Sequence, residues 1–165
     1  MGKRVSVCIP TYNGAKYIKE QLDSILSQLG ESDEVIISDD SSSDATLDII
    51  KALNDSRIVI LEGGKFRSPI FNVENAMKHS SGSFIFLSDQ DDVWLDGKLS
   101  AMLSELDKYD AVVSDCKVVD QNKNILEESF FRKRNSGDGF LKNLYKNTYL
   151  GCCMAFRREV FDYVL

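Results

Sequence analysis

The sequence predicts an α/β protein with a mostly parallel central sheet and helices on both faces. Two observations carry this. Short, continuously apolar runs alternate with segments of helical periodicity, the pattern of strands buried on both faces and joined by crossover helices. Three of those runs end in polar or acidic residues, "PTYN", "SDDSSSD" and "SDQDD". In open parallel sheets, ligands collect outside the carboxyl ends of the strands.

The elements follow in order. Residues 4–9 form a β-rich run closed by Pro10. "NGAKYIKEQLDSILSQLG" then sets Ala15, Ile18, Leu22, Ile25, Leu26 and Leu29 on one helical face, with Asn13 as the opening cap and Gly30 as the stop. Residues 34–38 are a short buried strand, and 44–54 a helix with Ile49, Ile50 and Leu53 inward and Asp44 as its cap. A third strand at 57–61 ends on Gly63-Gly64; 69–80 is a helix and 84–88 a fourth strand. Leu99, Met102, Leu103 and Leu106 mark the next helix, and 110–119 a fifth strand. Beyond residue 120 the expected order is a turn at "QNKN", a basic loop at "FFRKRNSGDG", a helix at 139–145, a strand at 149–156 and a helix from 158. With no repeat and no linker, residues 1–165 read as a single domain. "EVFDYVL" ends inside an apolar helical pattern, so the expectation is the N-terminal part of a longer protein.

Composition narrows the function. Acidic residues outnumber basic ones, 26 to 20, for a net charge of −6, which speaks against a nucleic-acid backbone as partner. No apolar run approaches the roughly 20 residues of a membrane span, and "MGKRVSVCIP" is too short an apolar stretch for a secretory signal. A cytoplasmic location is expected, with the basic Arg132, Lys133 and Arg134 offering contact to an anionic membrane surface or, more simply, a solvated loop. The four cysteines form no CxxC pair and His79 is the one histidine, fewer ligands than a zinc site is expected to need. Cys8, Cys152 and Cys153 sit in apolar runs and read as small core residues.

The chemistry lies in "FIFLSDQDDVW". Apolar Phe84–Leu87 runs directly into Asp89, Asp91 and Asp92, and Trp94 anchors the turn that follows. Two carboxylates about 4 Å apart repel by about 4 kcal/mol at an effective dielectric of 20, so the cluster needs a proton or a cation. Carboxylates are hard oxygen ligands suited to Mg²⁺ or Mn²⁺, and such an ion keeps positions open for the oxygens of a diphosphate. The plainer alternative is that Asp91, Asp92 and Asp96 cap the next helix. Tyr12 offers a face for stacking a base, or is a rim tyrosine; Asp40 suits the N–H of a uracil or thymine ring, or is a turn residue.

The order of these motifs resembles the family 2 glycosyltransferases, inverting enzymes of GT-A fold. "VSVCIPTYNGAKYIKEQLDSILSQ" is similar to the family's opening strand and helix, "DEVIISDDSSSDAT" to its base-binding strand, "NVENAMKHSSGSFIFLSDQDDVW" to its Asn-containing helix, strand and Asp-X-Asp signature, and "GCCMAFRREV" to the strand before the acceptor region. The "SDQDDVW" form resembles rhamnosyltransferase-like members that build bacterial surface polysaccharide. The resemblance implies a UDP- or dTDP-linked sugar donor, a saccharide or lipid-linked acceptor, and Mn²⁺ or Mg²⁺. It implies that Pro10, Thr11 and Tyr12 line the base pocket, Asp40 hydrogen-bonds the base, Asn72 lies near the donor, Asp89 approaches the ribose or the metal, and Asp91 ligates the metal with Asp92 in support. The family's general base is a carboxylate after the segment matching "GCCMAFRREV", so it is expected beyond Leu165. The expected Pro after Leu95 is replaced by "LDGKL", with Asp96 as a cap. The alternative is a catalytically incomplete module that binds sugar nucleotides. A phospho-acceptor signalling domain fits less well, because Asp39-Asp40 follows the second strand rather than the first. A sugar nucleotidyltransferase would need a Gly-rich basic loop where "PTYNG" stands.

Overall fold

The computed structural model describes residues 4–137 and 140–164. Its centre is a six-stranded sheet. The strands are β1 (Val5–Thr11), β2 (Glu34–Asp39), β3 (Ile58–Leu61), β4 (Phe84–Leu87), β5 (Ala111–Val113) and, after a two-stranded excursion, β8 (Met154–Arg157), in spatial order β3-β2-β1-β4-β8-β5. The first four in that order pair in parallel, while β8 runs antiparallel to both β4 and β5.

The alternation of side chains across the sheet divides the core in two. Val5, Val7 and Ile9, Val35 and Ile37, and Phe84 and Phe86 point to one face. There they meet Ile18, Leu22 and Ile25 of α1 (Ile18–Leu26), Ile50 of α2 (Thr46–Ala52), and Leu99, Met102 and Leu106 of α4 (Lys98–Leu106). Cys8, Ile36 and Ile85 point to the other, against Ala76 and Met77 of α3 (Pro69–His79) and Val160 and Phe161 of α7 (Arg158–Val164). Both faces are covered, which is why these strands carry apolar residues toward both instead of only at every second position.

The far end of the chain departs from the sequence expectation. The strand foreseen at 110–119 is two pieces. β5 ends at Val113, where the chain leaves the sheet, and Val118–Val119 (β6) pairs antiparallel with Ile125–Glu127 (β7) around a tight turn in which Asp120 accepts the N–H groups of Asn122 and Asn124. The foreseen basic loop is in part a helix, α5 (Phe130–Arg134), capped by Ser129 accepting from the Arg132 N–H and ended by Asn135 at φ 53°. The foreseen strand at 149–156 begins late: Gly151–Cys153 is a 3₁₀ turn that delivers the chain into β8. The helix foreseen at 139–145 is α6 (Phe140–Tyr145); Gly139 and Leu165 lie outside the described residues.

Three caps also differ. Asn13 sits at φ 50°, and its side chain accepts the Ser43 N–H instead of opening α1. Helix α1 closes at Leu26, before Gly30, whose N–H goes to Asp33. Helix α4 starts after Gly97 at φ 81° with no side-chain cap, so Asp96 does not have that role. Asp44 does serve α2, accepting the Thr46 N–H at 3.0 Å while its other oxygen accepts from Ala15.

Candidate active site

The carboxyl ends of β1, β2 and β4 open into one cleft of about 850 Å³. Pro10, Thr11, Tyr12, Asp40, Asn72, Asp89 and Asp91 all line it, so every binding residue singled out in the sequence arrives at the same cavity. The reason is topological: β1 stands between β2 and β4, with the loops after all three on one edge. Tyr12 is 58% exposed and free to present its ring. Asn72 is 3% exposed. Its Nδ2 donates to the Thr11 carbonyl at 3.2 Å, and its Oδ1 is buried with no hydrogen-bond partner among the described residues. A buried acceptor without a donor is costly in an apo protein and waits for one.

Asp39 and Asp40 divide their work. Asp39 is fully buried and accepts from the Thr11 and Ser42 hydroxyls and the Ser42 N–H, tying β2 to the end of β1. Asp40 holds the loop between β3 and α3: its oxygens accept the N–H groups of Phe66 at 2.6 Å and Arg67 at 2.8 Å. A carboxylate has about four lone-pair positions, so both oxygens keep capacity toward the cleft. That loop puts Lys65 and Arg67 on the cleft wall. Sequence reading did not find them, because the only local signal is "GGKFRSP" after a strand and their placement depends on the Asp40 contacts.

The acidic turn is braced from behind. Gln21, fully buried on α1, donates to the Asp89 carbonyl at 2.8 Å and to the Ser88 hydroxyl. The Trp94 indole N–H also reaches Ser88, and its ring tilts against Phe86 at 5.7 Å, so the tryptophan anchors the turn as its position suggests. Gln90, the middle residue of the Asp-X-Asp, accepts the Tyr12 N–H at 2.9 Å and donates to the Tyr12 carbonyl at 3.1 Å. It clamps the loop after β1 to the loop after β4. Gly14 makes room, since a Cβ there would lie 2.3 Å from Gln90 Oε1.

Asp91 is exposed on the cleft, whereas Asp92 groups with Asp89 and Cys152. Asp89 is held above the usual carboxylate range by desolvation and by the charges of Asp92 and Asp91; Asp92 is raised by desolvation and by Asp91. Crowded carboxylates of this kind suit a cation, which would remove the repulsion. Their oxygen chemistry fits Mg²⁺ or Mn²⁺. Cys152 is only half-buried and its sulfur stands within 4.8 Å of an oxygen of each carboxylate, so it is not the core residue its apolar surroundings suggested.

A mostly parallel sheet with a polar cleft at its switch in strand order, an exposed aromatic on one wall and an acidic turn on another, is the arrangement in which open α/β folds bind ligands. The family model described as "Glycosyl transferase family 2" matches residues 6–165: the chain belongs to glycosyltransferase family 2. It is 34% identical over 100 residues to the UDP-Glc:alpha-D-GlcNAc-diphosphoundecaprenol beta-1,3-glucosyltransferase WfgD of Escherichia coli, a match covering 61% of this chain and 40% of that protein. It is 30% identical over 129 residues to the GalNAc(5)-diNAcBac-PP-undecaprenol beta-1,3-glucosyltransferase of Campylobacter jejuni, covering 76% and 41%. The fold superposes on Staphylococcus aureus TarS 1-349 in complex with UDP at a TM-score of 0.76 and 25% identity, over 97% of this chain and 48% of that one. The mannosyltransferase PcManGT of Pyrobaculum calidifontis, in complex with GDP-Man and Mn2+, shares the fold at 0.70 and 20% identity, over 98% and 46%. The chain thus spans about half or less of the length of these relatives. The fold is the GT-A fold that the motifs implied.

Proposed function

We propose that this chain carries the donor-binding part of an inverting glycosyltransferase that moves a sugar from a UDP- or dTDP-linked donor to a lipid-linked saccharide in cell-surface polysaccharide synthesis. The observation that carries the reading is the convergence of Tyr12, Asp40, Asn72, Asp89 and Asp91 on one cleft. The kinds of donor and acceptor are supported by the undecaprenol-linked substrates in the names of the Escherichia coli and Campylobacter relatives and by the UDP bound to TarS. No helix among the described residues is long and apolar enough to cross a membrane; the lipid-linked acceptors in the relatives' names support action close to a membrane surface.

In this reading the Tyr12 ring stacks the base, with Pro10 and Thr11 forming the floor of its pocket. Asp40 accepts the ring N–H through a remaining lone pair, and the orphan Oδ1 of Asn72 accepts a second donor from the nucleoside. Asp89 meets the ribose or shares the divalent ion with Asp91, while Asp92 supports the turn. The bound Mn²⁺ or Mg²⁺ supplies charge neutralisation for the departing diphosphate. Lys65 and Arg67 add positive charge on the opposite wall, where it shields the same phosphates. The general base that deprotonates the acceptor hydroxyl is assigned to no described residue.

Calorimetry of UDP, dTDP and GDP, each with Mn²⁺, tests this. UDP or dTDP should bind and Asp91→Ala should remove most of that binding. Binding that ignores Asp91→Ala would sink the metal assignment, and tighter binding of GDP would sink the base assignment.

A further inference from the structure

Beyond the donor site, we propose that Cys152, Asp89 and Asp92 form a site for a thiophilic divalent cation of zinc type. One oxygen of each carboxylate and the Cys152 Sγ lie within 4.8 Å of one another. They come from opposite directions. Asp89 and Asp92 follow the carboxyl end of β4, whereas Cys152 precedes β8. Because β8 is antiparallel to β4, the residues that lead into it, rather than those that leave it, reach this edge of the sheet.

More sulfur stands close by. The Cys153 thiol lies near Cys152 and near Cys116, which comes from the segment after β5. All four cysteines are free. The cation facing the group is Lys98 of α4, and one ammonium stands against two carboxylates. Asp oxygens alone select hard ions, but a sulfur in the set shifts preference toward zinc. Zinc–sulfur and zinc–oxygen bonds of about 2.3 and 2.1 Å put tetrahedral ligands about 3.6 Å apart, so the trio needs to contract by about 1 Å. The fourth position is left to water or a phosphate oxygen. Forming the metal–sulfur bond breaks the Cys152 S–H bond and releases one proton to solvent per ion. Because Asp89 belongs to both sets, a zinc-type ion here competes with the ion that serves the diphosphate.

The test uses Cd²⁺ as the probe, without nucleotide, and reads the ultraviolet thiolate-to-metal charge-transfer band. The wild-type chain should show the band, saturating at one ion per chain and reversed by excess Zn²⁺. Cys152→Ser should lose it, Asp92→Asn should weaken Cd²⁺ binding about tenfold or more, and Cys116→Ser and Asp91→Asn should keep it. No band in the wild type, or a band that survives Cys152→Ser or vanishes with Asp91→Asn, overturns the proposal. A variant-free measurement guards against misfolding: Zn²⁺ should slow iodoacetamide alkylation of Cys152 about tenfold in the wild-type chain, and an unchanged rate overturns it. Retention of the band in Asp91→Asn separates this site from the donor metal, so failure of either reading leaves the other standing.

Discussion

The Gln90 clamp makes a quantitative prediction. Gln90→Ala removes both hydrogen bonds to the Tyr12 backbone. At about 0.5–1.5 kcal/mol each, the loss is about 2 kcal/mol, or about 4–8 °C in Tm for a chain of this size. Gly14→Ala should do the same by another route. Its Cβ would stand 2.3 Å from Gln90 Oε1 and 2.7 Å from Cδ, so the amide must swing away and give up the same two bonds. The alanine also lowers the entropy of the unfolded chain, worth about 0.4–1 kcal/mol, but this cancels in a double-mutant cycle. If the clamp is the shared cause, the double variant costs about 2 kcal/mol, not 4, and the coupling energy is about 2 kcal/mol. Urea denaturation of the four chains measures it. Additivity to within about 0.5 kcal/mol would refute the reasoning, because Gly14 would then owe its place to something other than Gln90.

Other outcomes follow from the same contacts. Asn72→Ala removes its hydrogen bond to the Thr11 carbonyl, which keeps the Asp40 N–H, and should cost about 0.5–1.5 kcal/mol in denaturant while weakening nucleotide affinity; unchanged affinity in calorimetry would remove Asn72 from the donor site. Glu34 accepts from Ser6, Arg4 and both Ser81 groups at the opposite end of the sheet. Burial opposes its charge, but the Ser6 and Ser81 hydrogen bonds and Arg4 hold it below the ordinary glutamate range. Its contribution is therefore complete above the unfolded-state value and lost as pH falls through the lower folded one; Glu34→Gln should flatten that acid limb in a stability-versus-pH series, and an unaltered limb would count against it. Asp55, held near pH 2 by its Arg57 hydrogen bonds, should likewise lend stability that is present above about pH 4 and fades toward pH 2, a dependence that Asp55→Asn removes. Mn²⁺ with UDP at about a hundred times its Kd should stabilise the chain by about 2.7 kcal/mol, read as a rise in Tm that Asp91→Ala abolishes.

The parts of the fold that were legible share one property: their sequence pattern and their environment agree. β1, β2 and β4 are covered on both faces, so "VSVCI", "EVIIS" and "FIFL" announce themselves, and with them the polar residues at their ends. The region from 110 to 137 was not legible. Its strands are two or three residues long, too short for a period to register, and α5 is a five-residue helix with no buried residue to mark an apolar face. Within the cleft, Tyr12, Asp40 and Asp89 could be found because they end strands. Lys65, Arg67 and Gln90 could not, since each acts through a contact to a distant segment. Cys152 was misjudged for a similar reason: "GCCMAF" looks like core, and only the reversed direction of β8 brings its first half to the acidic turn.

Asp40 shows how such shared contacts shape what the protein can become. The same carboxylate that we assign to the nucleobase also fastens the backbone of Phe66 and Arg67. A substitution meant to change base preference there would also unfasten the basic loop, and the measured loss would mix two effects. In the proposed reading, drift toward another donor is therefore easier through Ser68 on the cleft rim, whose side chain caps no helix, than through Asp40. In the proposed reading, a position that reads the ligand is also one that holds the backbone in place, and so is little at liberty to be rewritten.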